Sequence, residues 1–115
     1  MSQTTEQAAS NILARAEKLV RTTLLGSASR IIESTPVDTG LLRSNWQATI
    51  DRGASGEVSN RGGGAATSEA QSTILGMQLG SVFYLTNNVF YAGFQELERG
   101  MVRTELARLA AKLRA

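Results

Sequence analysis

The chain contains no cysteine and no histidine. The first absence removes disulfides and thiolate chemistry. The second removes the commonest ligand of zinc and iron sites, and the side chain most used for proton transfer near neutral pH. Proline occurs once, at Pro36, and aromatic residues make up only 5% of the chain. No apolar run reaches the roughly eighteen residues that a membrane-spanning helix needs. Charge is nearly balanced, 12 basic against 10 acidic residues for a net +2, which is too mild to imply nucleic-acid binding. Ten of the basic residues are arginine and two are lysine. Arginine's fork suits bidentate pairing at protein interfaces, although genome composition accounts for such a bias equally well.

What is present is ordinary globular material. With 42% apolar and 19% charged residues, 115 residues describe one domain, 1–115, with a modest core. The segment from Met1 to Glu6 is polar and acidic and does not read as a secretory signal.

Residues 5–34 carry apolar side chains at three- and four-residue steps: Ile12, Leu13, Ala16, Leu19, Val20, Leu24, Ala28, Ile31 and Ile32. The pattern predicts one long helix, capped at Thr4 or Thr5, with Gly26 as a weak point. Such a helix would extend about 45 Å, against a radius of gyration of about 13 Å for a compact domain of this size. One end is therefore expected to project and pack on a neighbouring subunit. Trp46, Ala48 and Ile50 alternate with Gln47, Thr49 and Asp51, which predicts a half-buried strand, and residues 57–60 read as its short antiparallel partner. Residues 52–66 form a glycine-rich connection. A weak helix is expected from Ala65 to about Leu79, then a strand over 81–87 whose apolar residues on both faces suggest a central position. Five of the six aromatics lie between Phe83 and Phe94, so the core is expected there. A last helix over 101–114 should turn Val102, Leu106, Leu109 and Leu113 inward and Arg103, Arg108, Lys112 and Arg114 outward. The sum is an α+β fold: a long N-terminal helix, a small mostly antiparallel sheet of three to four strands, and further helices packed on it.

Catalytic patterns are scarce. The acidic residues are scattered; only Glu96 and Glu98 lie close, and two positions apart on a helix they do not face each other. No nucleophile–base pair, metal-ligand spacing or dinucleotide fingerprint is present. Gly62-Gly63-Gly64 is followed by Ala65-Ala66-Thr67 and lacks the lysine of a phosphate-binding loop. The expectation is a protein with no catalytic residue, no cofactor and no metal.

The densest local chemistry lies in Thr35-Pro36-Val37-Asp38-Thr39-Gly40-Leu41-Leu42-Arg43-Ser44-Asn45-Trp46. Pro36 ends the preceding helix and forces Thr35 out of helical geometry. Asp38 is suited to cap a new turn at Thr39. Gly40 lets the backbone bend, and Leu41, Leu42 and Trp46 are apolar anchors. Arg43 offers a fork that can reach back to Asp38. Read locally, Asp38 is a helix cap and Trp46 is core; a rigid corner of this kind also serves as a docking surface.

This run, together with Asn87-Asn88-Val89-Phe90-Tyr91-Ala92 followed by Glu96, Gly100 and a terminal helix, resembles the small neck or tail-completion proteins of long-tailed bacteriophages. About twenty residues carry the specific part of the resemblance. Phe94-Gln95 and the Gly62-Gly63-Gly64 loop depart from the family pattern. The resemblance implies a structural virion protein at the head–tail junction, free in the host cytoplasm before assembly. It implies a ring of six copies between the head-side connector or portal and the tail terminator or tail tube, with DNA passing through the lumen unread and no membrane involved. Pro36, Asp38, Thr39, Gly40, Leu41, Arg43, Trp46, Asn87, Tyr91, Glu96 and Gly100 then become motif and subunit-interface residues. Arg52, Arg61, Gly62, Gly63 and Gly64 become a docking loop. A tail terminator or another tail ring protein is the near alternative. A small dimeric DNA-binding or antitoxin-like regulator is the alternative of a different class.

Overall fold

The structure is a computed structural model, and it describes residues 4–37, 40–62 and 64–114. The element order is α1 (Thr5–Ser34), α2 (Leu41–Ser44), β1 (Trp46–Ile50), α3 (Ala65–Gly76), β2 (Phe83–Asn87), α4 (Ala92–Arg99) and α5 (Met101–Arg114). The molecule is elongated, with extents of 59 × 30 × 21 Å, because α1 is longer than the body it packs on.

α1 starts with a capping box. The Thr4 hydroxyl accepts from the Gln7 amide and the Gln7 side chain accepts from the Thr4 amide, so two orphan donors of the first turn are satisfied. Its C-terminal end stops at Thr35, which is extended (ψ 131°) as the following Pro36 requires. Only the C-terminal half of α1 is covered. Ala28 and Ile32 are buried against β1 and α3, with Leu24, Leu25 and Ile31 packed around them.

β1 and β2 pair antiparallel, Trp46 opposite Asn87 through Ile50 opposite Phe83. The pair is closed at one end by Asp51, which sits in left-handed geometry (φ 65°). Its amide donates to the Val82 carbonyl and its carboxylate accepts from the Val82 amide. Aspartate tolerates this conformation better than most residues. α3 lies across β1, and its alanines allow close approach: Ala66, Ala70 and Ile74 are buried beside Trp46 and Ala48, with Met77 and Met101 completing the core.

Four features differ from the sequence expectation. Among the described residues the sheet has two strands. Residues 57–60 form no ladder, because Asn45 takes both Val58 backbone groups: its Nδ2 donates to the Val58 carbonyl (3.0 Å) and its Oδ1 accepts from the Val58 amide (2.8 Å). With those groups satisfied by a side chain, strand pairing gains nothing there. β2 is an edge strand, not a central one. The core centres on α1, β1 and α3, not on residues 83–94. Finally, α5 turns Met101 and Glu105 inward, while Leu106 and Leu113 face solvent.

Candidate functional site

The two segments singled out in sequence meet in one corner, and polar contacts hold them there. Its hub is Thr35, which is buried. The Thr35 hydroxyl donates to the Ile31 carbonyl (2.8 Å) and accepts from Trp46 Nε1 (2.8 Å), so the indole N–H is not left unpaired in the core. The Arg43 guanidinium donates to the carbonyls of Thr35 and Glu33. These are free acceptors at the end of α1, where a cation is favoured. Arg43 thus ties α2 to the end of α1; the Asp38 end of the expected Asp38–Arg43 contact lies outside the described residues, as do the cap at Thr39 and Gly63. α2 itself starts at Leu41 behind Gly40, whose left-handed φ of 83° a side chain would strain. Leu42 is buried, Leu41 is half-buried and Pro36 is half-buried.

Asn87 joins the second segment to the first: its Nδ2 donates to the Leu42 carbonyl (2.8 Å). Tyr91 is the N-cap residue of α4 and shares a groove with Pro36, Gly40, Leu42 and Gln95. Glu96 accepts from the amides of Val102 and Arg103 (2.9 and 3.0 Å), capping α5 across the break at Gly100. Gly100 is left-handed (φ 63°), and a β-carbon there would meet the Arg103 guanidinium at 2.6 Å. The left-handed backbone therefore favours glycine here, whereas the exposed Arg103 side chain is free to swing away.

The candidate docking loop divides. Arg61 is committed inside the subunit: it donates to the carbonyls of Ser44 and Trp46 and pairs with Glu69. The loop before it is irregular yet anchored by amide side chains, Gln47 to the Gly56 carbonyl and Asn88 to the carbonyls of Ala54 and Gly56. Arg52 and Gly62 are exposed, and Gly64 serves as the N-cap of α3.

Sequence reasoning missed three structural residues. Thr35 read only as the residue ahead of proline. Asn45 gives no periodic signal, yet it is fully buried. Glu105 looked like one more helix-surface acid, but it is buried beneath α1. There it accepts two bonds from Arg30 (2.8 and 3.0 Å) and one from Ser27 (2.7 Å), with Arg108 at 3.7 Å. The Arg30 bonds hold its carboxyl below the usual value, outweighing the upward push of burial, and Ser27 and Arg108 add to the lowering. This network locks α5 across α1.

The other notable surfaces are apolar and uncovered. Phe90, Phe94 and Leu97 are 91%, 63% and 76% exposed, and Ile12, Leu13 and Leu19 on α1 are 66%, 54% and 67% exposed. α4 is turned inside out: Gln95 and Glu96 face the body while Phe94 and Leu97 face water. Among the described residues no group of three or more histidine, cysteine, aspartate or glutamate side chains converges, and no helix is long and apolar enough to cross a membrane. Comparison with protein-family models, with curated proteins and with solved structures gives no match.

Proposed function

We propose that this chain is a structural virion protein of the phage neck, a tail-completion or head–tail joining subunit that works by assembly and not by catalysis. One observation carries the reading: the two segments that resemble that family meet in a single corner, joined by Asn87 on the Leu42 carbonyl and by Tyr91 in the groove beside Pro36, while Arg43 ties the first segment to the end of α1 and Glu96 ties the second to α5. Beside this corner Phe90, Phe94 and Leu97 stand exposed, an apolar patch of the kind that marks interaction surfaces. A rigid subunit with uncovered apolar faces is suited to packing against copies of itself, closing into a ring of six between connector or portal and the tail terminator or tail tube. Arginines bordering the lumen would meet passing DNA only through phosphates, in a salt-dependent way. Its place is then the virion, at the head–tail junction.

Within this reading, the free edge of β2 is where a strand from a neighbouring copy would extend the two-stranded sheet. The other edge of β1 is taken, since the Ala48 amide donates to Glu69, the Ala48 carbonyl accepts from Thr73, and the Trp46 carbonyl accepts from Arg61.

The test is genetic and biochemical. In a phage encoding this chain, a nonsense mutation should give filled heads and complete tails that do not join, and mass spectrometry of wild-type particles should find the polypeptide. Joined, infectious particles without it would overturn the proposal. A second reading, a small DNA-binding regulator, draws on Arg103, Lys112 and Arg114, which are exposed on α5 and make no ion pair among the described residues. A salt-sensitive shift of short duplex DNA at nanomolar protein would favour it.

A further inference from the structure

We propose that the uncovered face of α4 receives the N-terminal arm of α1 from a second copy of this chain, in head-to-tail order. The inference deepens the assembly reading by naming the two surfaces that meet; it rests on that reading only for ring closure.

The exposure of Phe94 and Leu97 follows from a constraint. Glu96 is held by two α5 amides and Gln95 faces the groove beside Pro36, and this fixes the rotation of α4. Rolling the helix over to hide Phe94 would pull Glu96 off α5. The apolar face is thus locked outward, with Phe90 packed edge-on against Tyr91 at 5.0 Å.

The arm is the complement. The innermost tie between α1's N-terminal half and the body is Arg21, whose guanidinium donates to the Met77 carbonyl. Beyond it α1 continues for about 24 Å, with Ile12, Leu13 and Leu19 in solvent. A free helix of that length is marginal in water without packing, yet its first turn carries a complete capping box. The helix is built to persist, and while Val20 still borders the groove beside Met77 and Leu79, the stripe residues Ile12, Leu13 and Leu19 are left uncovered within the subunit.

The two surfaces cannot meet within one molecule. α4 lies beside Pro36, at the C-terminal end of α1, and the arm is the N-terminal end of that same long helix. Two different patches at opposite ends of a subunit make a heterologous contact, which propagates and closes when its rotation allows. Charge agrees. Ile12 to Leu19 spans about 11 Å of helix, and opposite it Phe94 and Leu97 lie on α4 with Phe90 in the turn that leads into it. Arg15 borders the arm's stripe, three positions after Ile12 and four before Leu19; Glu98 borders the α4 face, four positions after Phe94. Neither makes an ion pair among the described residues.

The absence of cysteine makes the test clean. Full-length Leu19→Cys and Phe94→Cys proteins, each checked for unchanged circular dichroism, are mixed and oxidised with a glutathione couple. The mixed disulfide should form in excess over random pairing, and far in excess of either homodimer. Arg15→Glu in the first protein, or Glu98→Arg in the second, should lower its yield a few-fold, and both together should restore it. Random or homodimer-dominated products overturn the proposal, and a Leu19–Leu19 excess would replace it with arm-to-arm pairing. Failure here is separable from failure of the neck reading. Random products with an intact head-joining phenotype would sink only this pairing; a mixed disulfide from a protein absent from phage particles would sink only the neck.

Discussion

Around Trp46 and Ile74 apolar side chains lie under two helices, whereas around Phe90 and Phe94 they stand in water, although the second region has more aromatic residues. Apolar content does not separate the two; polar geometry does. On the first side, Thr35, Asn45, Arg61 and Glu69 satisfy the Trp46 indole, the amides of Ala48 and Val58 and the Trp46 carbonyl, so the core closes around β1. On the second side, the polar contact that fixes α4 is the Glu96 cap of α5, and meeting it turns the aromatic face outward. The burial of a helix face is decided by which of its polar residues has an obligatory partner.

The sharpest way to break this contrast is a matched pair of truncations. Ile74→Ala, at a fully buried position, should cost about 2–5 kcal/mol in urea unfolding. Phe90→Ala should stay within about 0.5 kcal/mol, as a surface change does. Equal losses would show that the aromatic face packs within the subunit after all. Next in size, Thr35→Val deprives Trp46 Nε1 of its acceptor in the core and should cost about 1–3 kcal/mol; an unchanged midpoint would remove Thr35 from the centre of the corner. Glu96→Ala leaves the α5 amides of Val102 and Arg103 without their cap and should cost about 0.5–2 kcal/mol. It should also free α4 to rotate, so quenching of any dye attached near Phe94 should change. Rigid behaviour of α4 in that variant would contradict the account of its orientation.

The smallest effect is one of pH. The Glu105 carboxyl is held below the usual glutamate value chiefly by Arg30. A group depressed in the folded state stabilises the fold above its unfolded pKa, and that stabilisation is lost as pH falls through the folded value. Stability should therefore decline in acid from about pH 4.5 downward, and Glu105→Gln should flatten that part of the profile. The effect is modest because Arg30 is partly exposed and screened by solvent.

Much of the backbone plan was legible in the sequence. The apolar steps of α1, the stop at Pro36, the alternation of β1 and the break at Gly100 are local signals, and local signals survive in the fold. The corner was legible as a cluster of unusual residues, but its wiring was not. Arg43 caps the carbonyls of Thr35 and Glu33, and Asn45 replaces a strand by holding Val58. Both are long-range choices that propensity does not encode. The position of the core was misjudged for the same reason. Aromatic density around Phe83–Phe94 suggested burial, while the buried layer sets Trp46, Ile32, Ile74 and two methionines among small residues, Ala28, Ala48, Ala66 and Ala70, that let the packed elements approach closely. Likewise α5's leucine stripe looked inward-facing until Glu105 took the inner side.

Hydrogen exchange measured against protein concentration tests the central claim, that the arm and the α4 face are left uncovered so that copies can cover each other. Protection of residues 5–20 and 90–97 should rise together as concentration increases, while the amides of α3 and β1 stay unchanged. Protection that is independent of concentration in both segments, or that rises in one without the other, would contradict it.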